Sequence, residues 1–345
     1  MHLATSYIGQ ERWLRTGRDW LALAAAAAGL LAFPWVASDY WVYFACLLGI
    51  NIIATTGLNI TMGYVGLLSL GHAAFLGVGA YTSAILTAKF GLPVFVTLPA
   101  AGLVAALIGI AFGLPSLRIH GLYLAVATLA AQFLLHFIFV HWEGMTGGDV
   151  GMSVMPAMLG DLALNTDRKL FYVIALLAVG LVLFAANLIR SRTGRAFVAV
   201  RERGHTAEVL GVNVVRYKLL GFGVGAFYAG VAGALLAHFD KFVSPEHFTL
   251  NLSVFFLAAV IIGGVGSTAG AVLGALFMTL VPEIVSMAVE GIGARAGIDI
   301  SGLLNAITEV IFGFFIVVFL IFEPQGLARI WSRAVGAVKA WPLRN

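Results

Sequence analysis

Charge is what this sequence has least of. Only 10% of its 345 residues are Asp, Glu, Lys or Arg, while 61% are apolar; soluble chains run at roughly 25% charged. That scarcity excludes a water-soluble domain. Cysteine is almost missing as well: Cys46 stands alone, which excludes a disulfide framework, a zinc cluster and a redox pair. Its default reading is a small buried hydrophobe. Catalytic signatures are absent too, with no G-x-x-x-x-G-K-S/T phosphate loop, no H-E-x-x-H and no G-x-S-x-G. The eight histidines are scattered, and the five-residue spacing of His136 and His141 does not place two ligands on one helix face. No catalytic residue and no metal site is assigned, although an enzyme acting on lipids is kept as a minor alternative to transport.

The few charges serve as rulers, because each costs about 2.5 to 3.5 kcal/mol at a bilayer centre on insertion scales. Stretches free of charge run Trp20 to Ser38, Tyr40 to Ala88, Phe90 to Leu117, Ile119 to Trp142, Leu170 to Ile189, Leu219 to Phe239 and His247 to Pro282. An eighth, Ile300 to Phe322, is interrupted only by Glu309. A helix needs about 20 apolar residues to cross a hydrocarbon core of about 30 Å. The Tyr40 stretch must therefore hold two spans, and the His247 stretch two short ones. The expectation is an all-α polytopic membrane helical bundle of about ten transmembrane spans.

An even number puts both ends on one side, and the basic residues say which. With the N-terminus cytoplasmic, fifteen of the twenty Lys and Arg fall inside: Arg12, Arg15, Arg18, Arg118, seven from Arg190 to Lys218, and four after Glu323. The positive-inside rule then places both termini in the cytoplasm. The net charge of +4 is the rim of a membrane protein and calls for no nucleic acid. Arg12, Arg15 and Arg18 before an apolar run also fit a secretory signal, but its removal would leave nine spans with no gain in charge bias. The expected divisions are residues 1–19 as a cytoplasmic segment, 20–322 as the membrane domain with an inside loop at 190–218, and 323–345 as a basic amphipathic cytoplasmic tail in which Trp331 and Trp341 suit the headgroup interface.

Three connections are long enough to carry a surface. Glu143 to Lys169 and Glu283 to Asp299 lie outside, the second reading as a weakly helical hairpin. The inside one, Arg190 to Lys218, reads as two short helices, one starting at Thr193 and Gly194, then a break at Gly204 and a second piece from Thr206 to Leu210 stopped by Gly211. Its mixed charges suit either docking of a soluble partner or simple solvation.

Glycine is abundant, with 41 residues concentrated within and beside spans, where small residues let helix backbones approach. The densest runs are Gly63-Tyr-Val-Gly66 with Gly71, and Gly263-Gly264-Val-Gly266 with Gly270. They are either a same-orientation repeat or two independent connectors. Polar residues at helical spacing form two stripes: Asn51, Thr55 and Asn59, and Thr128, Gln132 and His136. Each stripe is either a translocation path or a set of interhelical hydrogen bonds. His72 reads as a helix-start or packing residue ahead of a substrate ligand, and Glu283 as an interfacial carboxylate ahead of a proton-coupling one. Glu309 must be neutral, paired or wetted, and one such acid does not make a proton relay.

The run Gly57-Leu-Asn-Ile-Thr61-Met-Gly-Tyr-Val-Gly66-Leu-Leu-Ser-Leu-Gly71-His-Ala-Ala-Phe75-Leu-Gly77 resembles the permease subunits of branched-chain amino-acid ABC importers of the LivM type. Gly121 to Leu129, Thr146-Gly147-Gly148, Gly194 to Lys218, Gly263 to Gly270 and Phe322-Glu-Pro-Gln-Gly326 extend the resemblance over most of the chain. It implies a multi-pass subunit of a bacterial inner membrane that works with a second permease of the same family, two cytoplasmic ATPases and a periplasmic binding protein. ATP and Mg would then sit on the partner ATPase, with no cofactor in this chain. It further implies that Arg195, Arg201, Glu202, Arg203, Ala207, Glu208 and Gly211 couple to an ATPase. The binding protein would dock at Thr146, Gly147, Gly148 and Asp149, and the solute would cross by alternating access. One departure bears on substrate. Where relatives often carry a Gly-Glu pair, this chain has Ala130-Ala131-Gln132-Phe133, which leaves permeation of urea, amides or aromatic acids open beside branched-chain amino acids. A stand-alone channel or secondary carrier is the alternative class, and it predicts flux from this chain alone.

Overall fold

The computed structural model describes residues 28–114, 121–154, 158–159, 162–163, 166–296, 310–314, 316–317, 321 and 326–340. Helix α1 spans Asp39–Leu58 and runs directly into a π-helical turn, Asn59–Tyr64. Then come α2 (His72–Phe90), α3 (Val94–Gly113), α4 (Leu122–His141), α5 (Asp167–Arg190), α6 (Arg192–Val209), α7 (Val214–Asp240), α8 (Leu250–Gly263), α9 (Thr268–Ala296) and α10 (Leu327–Ala340). Two minimal antiparallel ribbons are the only extended pairs among the described residues.

Seven of these helices, α1 with its π turn, α2, α3, α4, α5, α7 and α9, are long and apolar enough to cross a membrane. The chain is thus an all-α polytopic bundle. The Tyr40 stretch holds two spans, α1 and α2, separated by the first glycine run. The His247 stretch departs from the expectation of two short helices. Its first helix, α8, has only 14 residues, about 21 Å at 1.5 Å per residue and short of the core thickness. Its second, α9, has 29 residues and runs through Pro282 to Ala296, so the expected hairpin after Glu283 is helix instead. The apolar residues of that segment sustain helical periodicity, and its two glycines weaken a helix without ending it. Arg118, Glu309, Trp341, the segment 1–19 and the Phe322-Glu-Pro-Gln run lie outside the described residues.

Helix α7 is the axis of the packing. It contacts α3, α2 and α1 along most of its length, and it is lined with Gly221, Gly223, Gly225, Ala226, Ala229, Gly230, Ala232, Gly233 and Ala234. In lipid the tails are as apolar as the side chains, so association rests on close backbone approach and not on hydrophobic burial. At Gly79 on α2 a Cβ would overlap the backbone of Gly230, and at Gly233 it would overlap the carbonyl of Leu76. These contacts leave no room for any side chain. Large apolar residues on α3, α4 and α5, such as Leu107, Val126 and Leu176, point outward, as a lipid-facing surface requires.

At the end of the bundle away from the 190–218 segment, connections are pinned by short-range geometry. Met152–Ser153 pairs with Phe242–Val243 beyond the end of α7, and Lys89 donates to the Gly144 carbonyl at 2.8 Å. Arg168 and Asp39 form an exposed ion pair at 2.7 Å joining the starts of α5 and α1.

Candidate translocation core and coupling end

The start of α2 poses a problem that the sequence around it does not solve. Its first turn has free N–H groups, yet the residue before it is Gly71, and no side chain of the Leu-Ser-Leu-Gly run caps it. The caps come from other helices. Thr128 Oγ1 on α4 accepts from Leu70 N at 2.9 Å. Ser253 Oγ on α8 accepts from Ala73 N at 2.9 Å, and Gln132 Oε1 on α4 accepts from Ala74 N at 2.8 Å. Gln132 also accepts from Ser253 Oγ at 3.3 Å and donates to the Phe248 carbonyl at 2.7 Å. Gly71 packs against the Thr128 carbonyl, where a Cβ would lie 2.6 Å away. His72, the first residue of α2, is buried with Nε2 2.9 Å from the Ala54 carbonyl and its ring edge-on to Phe256. This is the helix-start position expected for it.

The other stripe lies on α1. Asn51 Nδ2 donates to Thr279 Oγ1 on α9 at 3.0 Å. Thr55 is fully buried, and its hydroxyl has no hydrogen-bond partner among the described residues. Asn59 opens the π turn and spans to the second glycine run: its Nδ2 donates to the Ser267 carbonyl at 2.9 Å, and its Oδ1 accepts from Gly266 N at 2.9 Å. His136 is half-buried, and its Nδ1 has no partner among the described residues. It lines a cavity of about 240 Å³ with Gln132, Phe133, Thr249, Leu250 and Asn251.

The two glycine runs, some two hundred residues apart in sequence, meet in space. Gly66 and Gly266 both turn the chain at left-handed φ, +80° and +78°. A Cβ on Gly63 would lie 2.5 Å from Gly266 N, and Tyr64 Oη is 3.0 Å from Thr268 Oγ1. Both turns therefore sit at one end of the bundle. Gly263 and Gly270 form the backbone-to-backbone contact that lets α8 and α9 cross, and Gly264 carries the turn at φ +118°.

Against this pair of turns lies α6. Ser191 caps its start through Thr193 N at 3.2 Å, and the helix ends at Gly211, φ +85°. There Val212 N donates to Ala207 O and Gly211 N to Glu208 O, both at 2.9 Å, the Schellman arrangement. The two helical pieces expected here exist, but the break falls at Arg203 (φ −151°, ψ 80°) and not at Gly204. Arg195 reaches back to the Arg190 carbonyl at 3.1 Å. Arg201 is exposed, yet it donates from Nη1 to the Gly63 carbonyl, while its Nη2 pairs with Glu202 at 3.1 Å. Ala207 is buried, whereas Arg203 and Glu208 are exposed. The most exposed apolar pair on α6 and its end is Val209 and Leu210, at 87% and 78%. Gly66, Arg201, His205, Glu208 and Lys218 line a cavity of about 410 Å³.

At the opposite end, Thr146 Oγ1 donates to the Phe139 and Trp142 carbonyls, each 2.8 Å away, at the close of α4. Gly147 and Gly148 turn at positive φ, +78° and +64°. Thr146 and Gly148 are buried; Gly147 and Asp149 are exposed.

Residues 40–320 match the family described as branched-chain amino acid transport system / permease component. The chain belongs to that permease family. This permease is 35% identical over 336 residues to the high-affinity branched-chain amino acid transport system permease protein LivM of Escherichia coli (strain K12), covering 90% of this chain and 75% of that relative. It is 22% identical to a probable LivM of Methanocaldococcus jannaschii, over 81% of this chain and 90% of the relative. It is also 26% identical to LivH of Escherichia coli (strain K12), over 67% and 80%. No solved structure matches. The permease is a multi-pass integral membrane protein.

Of the polar residues read from the sequence, the structure brings Thr128 and Gln132 together at the start of α2 and sets Asn59 at the meeting of the glycine turns, away from Asn51, Thr55 and His136. Sequence reasoning missed Ser253, Thr279 and the Tyr64–Thr268 contact. Ser253 had a signal, being a lone hydroxyl in an apolar segment; Val209 and Leu210 had one only once their exposure was known.

Proposed function

We propose that this chain is one of two permease halves of an ATP-driven importer for branched-chain aliphatic amino acids. The observation that carries this reading is the coupling end: a capped, kinked helix that presents exposed Val209 and Leu210 beside Glu208, in a chain whose relatives are named for that transport. Apolar side chains at the centre of a charged surface suit a protein interface. The ATPase docks there, with Arg195, Arg203, Glu208 and Gly211 at its rim, and supplies the ATP and Mg chemistry that this chain lacks motifs for. A second permease of the same family completes the path. The periplasmic binding protein docks on the Thr146–Asp149 turn, through the exposed Gly147 and Asp149. Affinity for solute resides mostly in the binding protein, because a strong midplane site would slow release.

In the membrane the chain makes ten crossings or partial crossings: the seven long helices, the short α8, and the two apolar stretches Trp20–Ser38 and Ile300–Phe322. Both termini are cytoplasmic, on the side that holds α6. Residues 1–19 and 323–345 are then the cytoplasmic ends of the 20–322 membrane domain.

The test is reconstitution of this chain with its partner subunits in vesicles, with ATP inside and labelled leucine outside beside its binding protein. Leucine uptake that needs ATP and every subunit supports the reading. Uptake of urea, an amide or an aromatic acid in place of leucine reassigns the substrate, and flux through this chain alone overturns the class.

A further inference from the structure

We propose that Arg201 is a positioning residue that binds α6 to both glycine turns at once, so that movement of the docking helix is delivered to α1 and α9 together. The proposal rests on the reading of α6 as the ATPase-docking element. Its basis is a set of contacts made by one side chain. The guanidinium donates to the Gly63 carbonyl at the end of the π turn. The aliphatic part lies against Gly66, where a Cβ would come within 2.8 Å of Arg201 Cγ, and Nη1 lies 2.8 Å from the place of a Cβ on Gly266. The turns are themselves fastened by Asn59, through Gly266 N and the Ser267 carbonyl. Arg201 therefore touches a unit that already joins the C-terminal end of α1 to the start of α9.

The chemistry favours arginine at this point. A helix C-terminus leaves carbonyls without intrahelical donors and carries partial negative charge, and a planar guanidinium offers several N–H donors in a fixed fork. Glycine at 66 and 266 leaves space for that fork; any side chain there would fill it. On the α6 side the link is stiff. Phe197 and Val200 are buried against the bundle, and Gly194 sits so close to Ile189 that no Cβ fits between them. The backbone kink at Arg203 lies between this anchored piece and the Thr206–Leu210 piece, which is exposed except at Ala207. A push on the exposed piece thus reaches Arg201 first.

The experiment uses the full complex in vesicles, with Cys46→Ala so that spin labels at Thr206→Cys on α6 and Val265→Cys on the second turn are unique. Their separation is compared between nucleotide-free and ATP-trapped states, beside leucine taken up per ATP hydrolysed. With Arg201 present, the two labels move as a unit and their separation holds. In Arg201→Ala the ATPase still co-purifies, the separation changes between states, and uptake per ATP falls about tenfold, within the usual range of coupling between sites. Arg201→Lys recovers part of the ratio, since an ammonium reaches one acceptor at a time. Unchanged uptake per ATP in Arg201→Ala overturns the proposal, and so does loss of the ATPase from that variant, which would make Arg201 a docking residue. The docking assignment has its own control. Val209→Ser with Leu210→Ser should release the ATPase, and if it does not, that assignment fails whatever Arg201 does. Should Arg201→Ala fail to fold, Arg201→Lys carries the test: full wild-type coupling and constant separation in it would refute the need for the fork.

Discussion

Gln132 shows how much one side chain can hold in a chain this poor in polar groups. Its amide meets α2, α8 and the Phe248 carbonyl, so its removal orphans the N–H of Ala74 and the carbonyl of Phe248 inside the bundle. Leaving a buried group unsatisfied costs about 1–3 kcal/mol. Gln132→Ala should therefore lower the unfolding temperature in detergent by several degrees, whereas Gln132→Glu, neutralised in this buried site, keeps an acceptor for Ala74 and an O–H for the Phe248 carbonyl but has one donor fewer than the amide. A thermal scan ranking wild type above Gln132→Glu above Gln132→Ala is expected; equal melting of all three would remove its capping role. Gly66 makes a different point. At φ +80° an L side chain costs roughly 1–2 kcal/mol, and a Cβ there also meets Arg201. Gly66→Ala should lose uptake more than it loses expression, measured as transport per purified complex. Thr128, Gln132 and Asn59 were legible in the sequence as polar groups that lipid would not tolerate. Their partners were not, because those lie 58 to 208 residues away.

At the scale of elements, α7 is defined by small residues and α8 by its length. The α7 glycines meet backbone on α2 and α3, so Gly230→Val, whose side chain meets Ala105 and the Ala101 carbonyl, should force the helices apart. The expected outcome is loss of the monodisperse peak in size-exclusion chromatography, while a substitution at lipid-facing Leu107 leaves that peak in place. The spans α1 to α5 and α7 were readable from charge-free stretches, since a charge in lipid costs the same whatever surrounds the helix. The exact residue of the α6 kink, Arg203 and not Gly204, and the extension of α9 past Pro282 were not readable. Propensity is a weak local preference that tertiary packing overrides, and both features depend on what lies alongside.

The whole molecule is organised by its two ends. One carries α6 and the meeting glycine turns; the other carries the Thr146–Asp149 turn and the ribbon of Met152–Ser153 with Phe242–Val243. Reporter fusions or cysteine labelling should place Thr206 and both termini in the cytoplasm and Asp149 outside. Finding Thr206 and Asp149 on the same side would refute the orientation. If the ATPase binds through Val209 and Leu210, removing those two apolar side chains should abolish co-purification while the permease stays folded, because both are largely exposed among the described residues.

By itself the sequence determined the class of protein, the places where most helices cross and the end that holds the positive charge. These follow from the cost of putting each residue into lipid, which is a property of that residue and its near neighbours. Only the tertiary structure decided that the two glycine runs touch, that α4 and α8 cap α2, and that the exposed Arg201 reaches the Gly63 carbonyl. Each of those is a relation between groups far apart in the chain. A hydrogen-bond donor specifies the need for a partner and leaves the partner's identity to the packing.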